Sequence, residues 1–117
     1  MKSFQPNDYL VLFKSQFMGA GDDELGGVLI RGFLNNLSER SNLPTHIILY
    51  NSGVKLALKG SDTANALKAF EDKGVSIIIC GTCSDFFAVR DQIGVGEVSN
   101  MATITELLTT TPKIVAP

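Results

Sequence analysis

The sequence predicts an α/β domain with a mostly parallel five-stranded sheet and helices on both faces. Two observations predict it. Short apolar runs alternate with stretches of helical period in the order β-α-β-α-β-α-β-α-β. The runs around Val11, Ile48 and Ile78 are apolar at nearly every position, the pattern of strands covered on both faces.

Tyr9-Leu10-Val11-Leu12-Phe13 reads as the first strand. A loop from Ser15 ends in Gly19-Ala20-Gly21, and Asp22, Asp23 and Glu24 then suit the positive end of a helix. Leu25, Val28, Leu29, Phe33, Leu34 and Leu37 recur at helical spacing. They predict a helix of about 20 residues, ended by Asn42 and Pro44. Thr45 to Tyr50 reads as the second strand, with a turn at Asn51-Ser52-Gly53. Val54 to Lys59 is ambiguous and admits one helical turn. Ser61 is an N-cap for a helix through Ala64, Leu67, Ala69 and Phe70, which Lys73-Gly74 stops.

Val75 to Cys80 is the third strand, followed by a shorter helix from about Ser84 that carries Phe86, Phe87, Val89 and Ile93 and stops at Gly94. Val95 to Ser99 is a short fourth strand. Ala102 to Thr110 reads as a final helix with Ile104, Leu107 and Leu108 on its apolar face. Lys113 to Ala116 is an edge strand, because the prolines Pro112 and Pro117 beside it are tolerated at an edge. Crossovers should be right-handed. No repeat, low-complexity segment or linker interrupts the pattern, so residues 1–117 read as one domain.

Composition narrows the function classes. With 117 residues, 44% of them apolar and 19% charged, the chain reads as a compact domain, not a disordered one. The formal net charge is −2, and Lys and Arg are scattered singly. Neither a nucleic-acid footprint nor an anionic-membrane surface is visible. No apolar run approaches the roughly 20 residues that span a bilayer. Residues 1–8 lack the apolar stretch of a secretory signal, so the cytoplasm is the expected compartment.

Both cysteines lie in one motif, Cys80-Gly81-Thr82-Cys83, at a strand-to-helix junction. In a reducing compartment a CxxC points to redox, metal or catalytic work. Ligands of an open parallel sheet bind beyond the carboxyl ends of its strands. The residues there are Gly19, Gly21 and Asp22; Asn51, Ser52 and Gly53; Cys80, Gly81, Thr82 and Cys83; and Ser99 and Asn100. These form the candidate site, with Cys80 and Cys83 as its reactive groups. A free cysteine titrates at about 8.5, and one at a helix N-terminus can fall to about 7 or below. Cys83 falls in or beside the first turn of the predicted helix, and Gly81 permits a sharp turn. Cysteines so spaced can reach the Cα separation of about 5.5 Å that a disulfide needs.

Other readings stand beside this one. Both cysteines can be small buried hydrophobes. A zinc site wants four ligands; one CxxC supplies two, and the single histidine, His46, is expected at the opposite edge of the sheet. A thioredoxin-like oxidoreductase fits poorly, since its motif follows an early strand and faces a cis-proline, and none of Pro6, Pro44, Pro112 or Pro117 is placed for that. Gly19-Ala20-Gly21 is not a dinucleotide fingerprint, because Glu24 stands where the third glycine belongs. Neither a metal nor a cofactor is expected. Of Phe86 and Phe87, one ring is expected on the core and the other shielding the cysteines or at a subunit interface.

The chain resembles the DsrE/DsrF-like sulfur-transfer proteins, and is most similar to the C-terminal domain of the YedF type associated with selenium metabolism. The segments that carry the resemblance are Leu12–Ser15, Gly21–Gly26, Ile48–Leu56, Cys80–Phe87 and Val95–Met101, in matching order along nearly the whole chain. The resemblance implies a DsrE/F-like fold with flavodoxin-like layering. It also implies a cysteine that accepts sulfane sulfur as a persulfide and passes it on. Cys80 matches the position of that acceptor, and Cys83 is the extra cysteine of a Cys-Gly-Thr-Cys subgroup. A homo-oligomer is implied, and a TusA-like sulfur carrier is a possible partner.

The chain departs from the YedF pattern in lacking the TusA-like domain that precedes this one there. The expectation is therefore a separate partner chain, or an excised domain of a longer protein. The second cysteine opens another fate: it can displace a persulfide, release sulfide and leave a disulfide. The leading expectation is sulfur or selenium relay by a persulfide. The alternatives are a non-catalytic oligomeric binding subunit and a dithiol redox sensor.

Overall fold

In the computed structural model, which describes residues 3–117, five parallel strands form one sheet. They are β1 (Tyr9–Phe13), β2 (His46–Leu49), β3 (Ser76–Cys80), β4 (Glu97–Ser99) and β5 (Lys113–Val115), in the spatial order β4-β3-β2-β1-β5. Four α-helices alternate with them: α1 (Asp23–Ser38), α2 (Asp62–Asp72), α3 (Gly81–Phe86) and α4 (Met101–Thr110). The predicted α/β class, the parallel sheet and the strand count are all present.

The order of strands follows from the crossovers. From β1 to β4 each strand is laid beside the last in one direction, and right-handed connections put α1 and α2 on one face, where they pack together. The return from β4 to β5 runs the other way, so α4 crosses the opposite face. Its Ile104 is fully buried. Register brings Ile47 beside Val11 and Ile77, and all three are buried. This two-sided cover explains why the central strands carry almost no polar residue.

Four features differ from the sequence reading. Residues 54–57 of the ambiguous 54–59 stretch belong to a 3-10 helix over Asn51–Ala57, which takes in the predicted turn. α3 begins at Gly81, not near Ser84, and ends at Phe86; a separate short 3-10 turn covers Arg90–Gln92. α1 has 16 residues, fewer than the periodicity predicted. Its last turn is closed by side chains: Asn36 Nδ2 donates to the Gly32 carbonyl at 2.8 Å and Ser38 Oγ to that of Asn35 at 2.7 Å. Beyond it, residues 39–42 are exposed and offer no apolar side chain to continue the packing.

The fourth difference is the buried face of α1. The residues turned inward are Gly26, Ile30, Leu34 and Leu37. Leu25, Val28 and Leu29 remain 55%, 51% and 44% exposed. Two apolar stripes overlap on this helix and share Leu34 and Leu37, so spacing alone could not separate them. Gly26 selects between them, because a Cβ there would lie 2.7 Å from that of Phe17.

Replacing Ile30, 2% exposed, by alanine should cost about 2–5 kcal/mol by cavity formation. Leu29→Ala should stay within about 0.5 kcal/mol. Urea unfolding of the two variants checks the assignment, and equal losses would contradict it.

Candidate functional site

β3 passes into α3 without a loop. Cys80 is both the last residue of the strand and the N-cap of the helix, and Cys83 lies in the first helical turn. Both are free thiols. Cys80 is 1% exposed and belongs to the core, whereas Cys83 is half-buried at its edge. The buried Ser84 hydroxyl donates to the Cys80 carbonyl at 2.9 Å, tying the turn to the strand end.

Gly81 makes this junction possible, although not as a flexible turn. Its backbone is helical, and an ideal Cβ would fall 2.8 Å from the Ser99 carbonyl oxygen and 2.8 Å from Arg90 Nη2. Real Cβ atoms do not approach backbone oxygen so closely. Register pairs Cys80 with Ser99, so the start of α3 is pressed against the end of β4. The missing Cβ serves close approach, in place of the sharp turn expected from sequence.

α3 stops as abruptly as it starts. Ala88 adopts a left-handed conformation with φ 57°. The amides of Ala88 and Val89 donate to the carbonyls of Asp85 at 3.0 Å and Ser84 at 2.9 Å. This is the usual double-bonded helix stop, with alanine where glycine is preferred. The reversal brings Arg90 back to Asp85, with Nε–Oδ1 at 2.6 Å and Nη2–Oδ2 at 3.0 Å. That fork holds the Asp85 carboxyl below its ordinary value. A five-residue separation lies outside helical pairing, so sequence spacing could not find this pair.

Asn51 is the other left-handed non-glycine residue among those described, at φ 52°. Asparagine tolerates that region better than most residues. Its backbone N–H donates to Cys83 Sγ at 3.1 Å. Its own Oδ1 accepts the Ser52 N–H at 2.8 Å, and Ser52 Oγ accepts the Gln16 N–H at 3.2 Å. Gly53 lies so close to β1 that a Cβ would collide with the Phe13 carbonyl oxygen. The segments after β1, β2 and β3 are thereby stitched together, and Gly81 joins them to the end of β4.

Other predicted residues are placed differently. Asp22 caps α1 by accepting the Leu25 N–H at 2.8 Å, and Asn100 caps α4 by accepting that of Thr103 at 2.9 Å. Gly19 and Gly21 have left-handed φ of 83° and 140° and lie exposed in the loop before α1. Thr82 is exposed on the first turn of α3. Phe86 is 83% exposed, while Phe87 packs against the core edge-to-face with it at 5.3 Å between centroids. Lys55 Nζ stands 4.5 Å from the Phe87 ring centroid, a cation–π contact that the sequence did not signal.

The Cys83 thiol is pushed above its ordinary value, against the sequence-based expectation. Burial is the main cause, followed by the neighbouring Cys80 thiol; the Asn51 amide pulls the other way. A six-residue helix adds too little dipole to reverse burial.

His46 begins β2, at the far end of the sheet. The concavity of about 570 Å³ that it lines with Ser76 and Glu97 lies at the amino ends of the strands, away from the cysteines. So does one of about 390 Å³ lined by Tyr9, Arg40 and Lys113. Among the described residues no group of three or more His, Cys, Asp or Glu could hold a metal ion. None of the described helices is long and apolar enough to cross a membrane.

Comparison with known proteins gives two findings. The DsrE/DsrF-like family matches residues 24–117. Among solved structures, the ychN protein from E. coli superposes with a TM-score of 0.70 at 17% identity, over 94% of this chain and 99% of that one. A conserved protein of unknown function from Bacteroides thetaiotaomicron gives 0.67 at 20% identity, over 99% and 100%. One from Methanobacterium thermoautotrophicum gives 0.67 at 17%, over 95% and 100%. At these identities the likeness is one of fold. No curated protein matches.

The raised Cys83 value has a kinetic consequence. The thiolate fraction at neutral pH is smaller than for an ordinary cysteine, and it grows roughly tenfold per pH unit until the raised value is passed. The alkylation rate at Cys83, followed against pH by mass spectrometry, should still climb where an ordinary thiol levels off. A plateau below the ordinary thiol range would contradict the burial argument.

Proposed function

The chain belongs to the DsrE/DsrF-like family, and from that premise we propose that it relays sulfur, or selenium, as a persulfide at Cys80-Gly81-Thr82-Cys83. The observation that carries this reading is a free thiol, Cys83, with a backbone N–H directed at its sulfur and a second free thiol one helical turn away. The step is a thiol exchange. A cysteine thiolate attacks the terminal sulfur of a donor persulfide, the donor S–S bond breaks, and the donor leaves as its own thiolate. The Asn51 amide gives the protein sulfur a fixed donor that needs no reorganisation. This chemistry requires no cofactor and no metal.

The rest of the candidate site has supporting roles. Ser52 and Gly53 lock Asn51 against β1, and Gly81 with Ser99 locks the helix start against β4. The exposed Phe86 ring beside the motif suits docking of a protein carrier, such as a TusA-like chain. The exposed Leu25, Val28 and Leu29 on α1 suit a homo-oligomer. The YedF-type relationship fits the Cys-Gly-Thr-Cys motif, and a reducing compartment such as the cytoplasm suits its free thiols.

Two observations favour other readings. The burial of Cys80 and the raised value of Cys83 suit an inert binding subunit. The pairing of two free thiols in one turn suits a dithiol redox sensor.

Incubating the reduced protein with glutathione persulfide and measuring intact mass separates the three. Sulfur relay predicts capture of donor sulfur, seen as a reducible gain of one sulfur or as hydrosulfide release above the donor blank. Unchanged mass and no hydrosulfide would contradict it and favour a binding subunit. Unchanged mass with the persulfide, but an intramolecular disulfide once glutathione disulfide is added as oxidant, would favour the sensor.

A further inference from the structure

Resting on the capture step of that reading, we propose that the two cysteines divide the work: Cys83 takes the sulfur, and where no acceptor removes it Cys80 displaces it as hydrosulfide, so that the site then acts as a persulfide reductase. This reverses the order that the family resemblance implies, in which Cys80 is the acceptor.

Access decides the first role. A donor persulfide must present its terminal sulfur along the line of the attacking thiolate. Cys80 is 1% exposed, continues the buried strand β3, and sits in the hydrophobic core. No donor reaches it without opening that core. Cys83 is half-buried, stands on the turn that faces the segment after β2, and already accepts the Asn51 N–H at 3.1 Å. The left-handed backbone of Asn51 aims that amide, and the Ser52 contact with Gln16 and the Gly53 contact with β1 keep it there.

Placement within the turn decides the second role. Cys80 is the N-cap and Cys83 the third residue of α3. An N-cap side chain naturally points toward the backbone of the second and third helical residues. Cys80 makes no side-chain capping bond, so its sulfur is not committed there. It is the one other thiol in the chain, and it is the more deeply buried of the two. Once Cys83 carries the sulfur, a second thiol stands one helical turn from the new S–S bond.

The electrons balance without an outside oxidant. In the first step the Cys83 thiolate bonds to the terminal sulfur of the donor persulfide, the donor S–S bond breaks, and the donor leaves as a thiolate. In the second, the Cys80 thiol passes its proton to the terminal sulfur of the Cys83 persulfide and attacks Cys83 Sγ. The Cys83 persulfide bond breaks and its electron pair leaves on hydrosulfide. The sulfane sulfur is reduced by two electrons, and the two thiols are oxidised to a Cys80–Cys83 disulfide. A dithiol reductant restores the site.

The test uses the full, reduced chain with glutathione persulfide, reading intact mass, the modified peptide and free hydrosulfide above the donor-only blank. Wild type should release hydrosulfide and end as the intramolecular disulfide. Cys80→Ala should hold a lasting one-sulfur adduct on Cys83 and lose the hydrosulfide. Cys83→Ala should lose both. Circular dichroism confirms that each variant is folded, and Cys80→Ser replaces Cys80→Ala if the smaller side chain unfolds the core. An adduct on Cys80 in Cys83→Ala, with none in Cys80→Ala, would overturn the division of labour and leave sulfur relay standing. A lasting adduct in wild type without hydrosulfide would overturn the displacement step. No adduct and no hydrosulfide in any folded form would instead remove the relay reading beneath it.

Discussion

The close approach at Gly81 is the constraint on which the site depends. There the first turn of α3 meets the end of β4 with no room for a Cβ, and the Arg90 guanidinium closes over the same point. Because of that contact the strand can become a helix in a single step. The same contact fixes what happens to each cysteine. Cys80 is left in the core as the last residue of β3, and Cys83 is carried one turn outward to the amide of Asn51. A longer loop would give both thiols similar surroundings and freedom to move. The loopless junction gives them different surroundings and a fixed relation.

The other elements hold this junction in place. Parallel register puts β2 and β4 on either side of β3, so its carboxyl end is flanked by Asn51 on one side and Ser99 on the other. The Ser52–Gln16 bond extends the arrangement to the segment after β1. The abrupt helix stop at Ala88 returns the chain so that Arg90 forks onto Asp85. As an exposed ion pair it adds little stability by itself. Its contribution is positional, because it lays the guanidinium across Gly81.

Much of the fold was legible in the sequence because the signals were strong and local. The nearly all-apolar runs at β1, β2 and β3 predict buried parallel strands, and Ser61 caps α2 through its hydroxyl as predicted. What escaped depended on tertiary contact. Spacing could not choose between the two apolar stripes of α1, since the choice rests on Phe17 lying against Gly26. The start of α3 escaped because Cys80, Gly81 and Thr82 are poor helix signals, and helix forms there through packing against β4. The left-handed alanine at position 88 gives no sequence signal at all. At the site, the motif and its partners Asn51, Ser52, Gly53 and Ser99 could be named from strand ends alone. The unequal burial of the cysteines could not, nor could the upward shift of Cys83, because both come from what surrounds the turn.

The central claim is that the two thiols are unequal by construction. It is tested most directly by limited alkylation of the native, reduced protein with N-ethylmaleimide, mapped by peptide mass spectrometry. The account predicts modification of Cys83 alone in the folded chain, with Cys80 reacting only after denaturation. Modification of Cys80 first, or of both at equal rates while the protein remains folded, would contradict it.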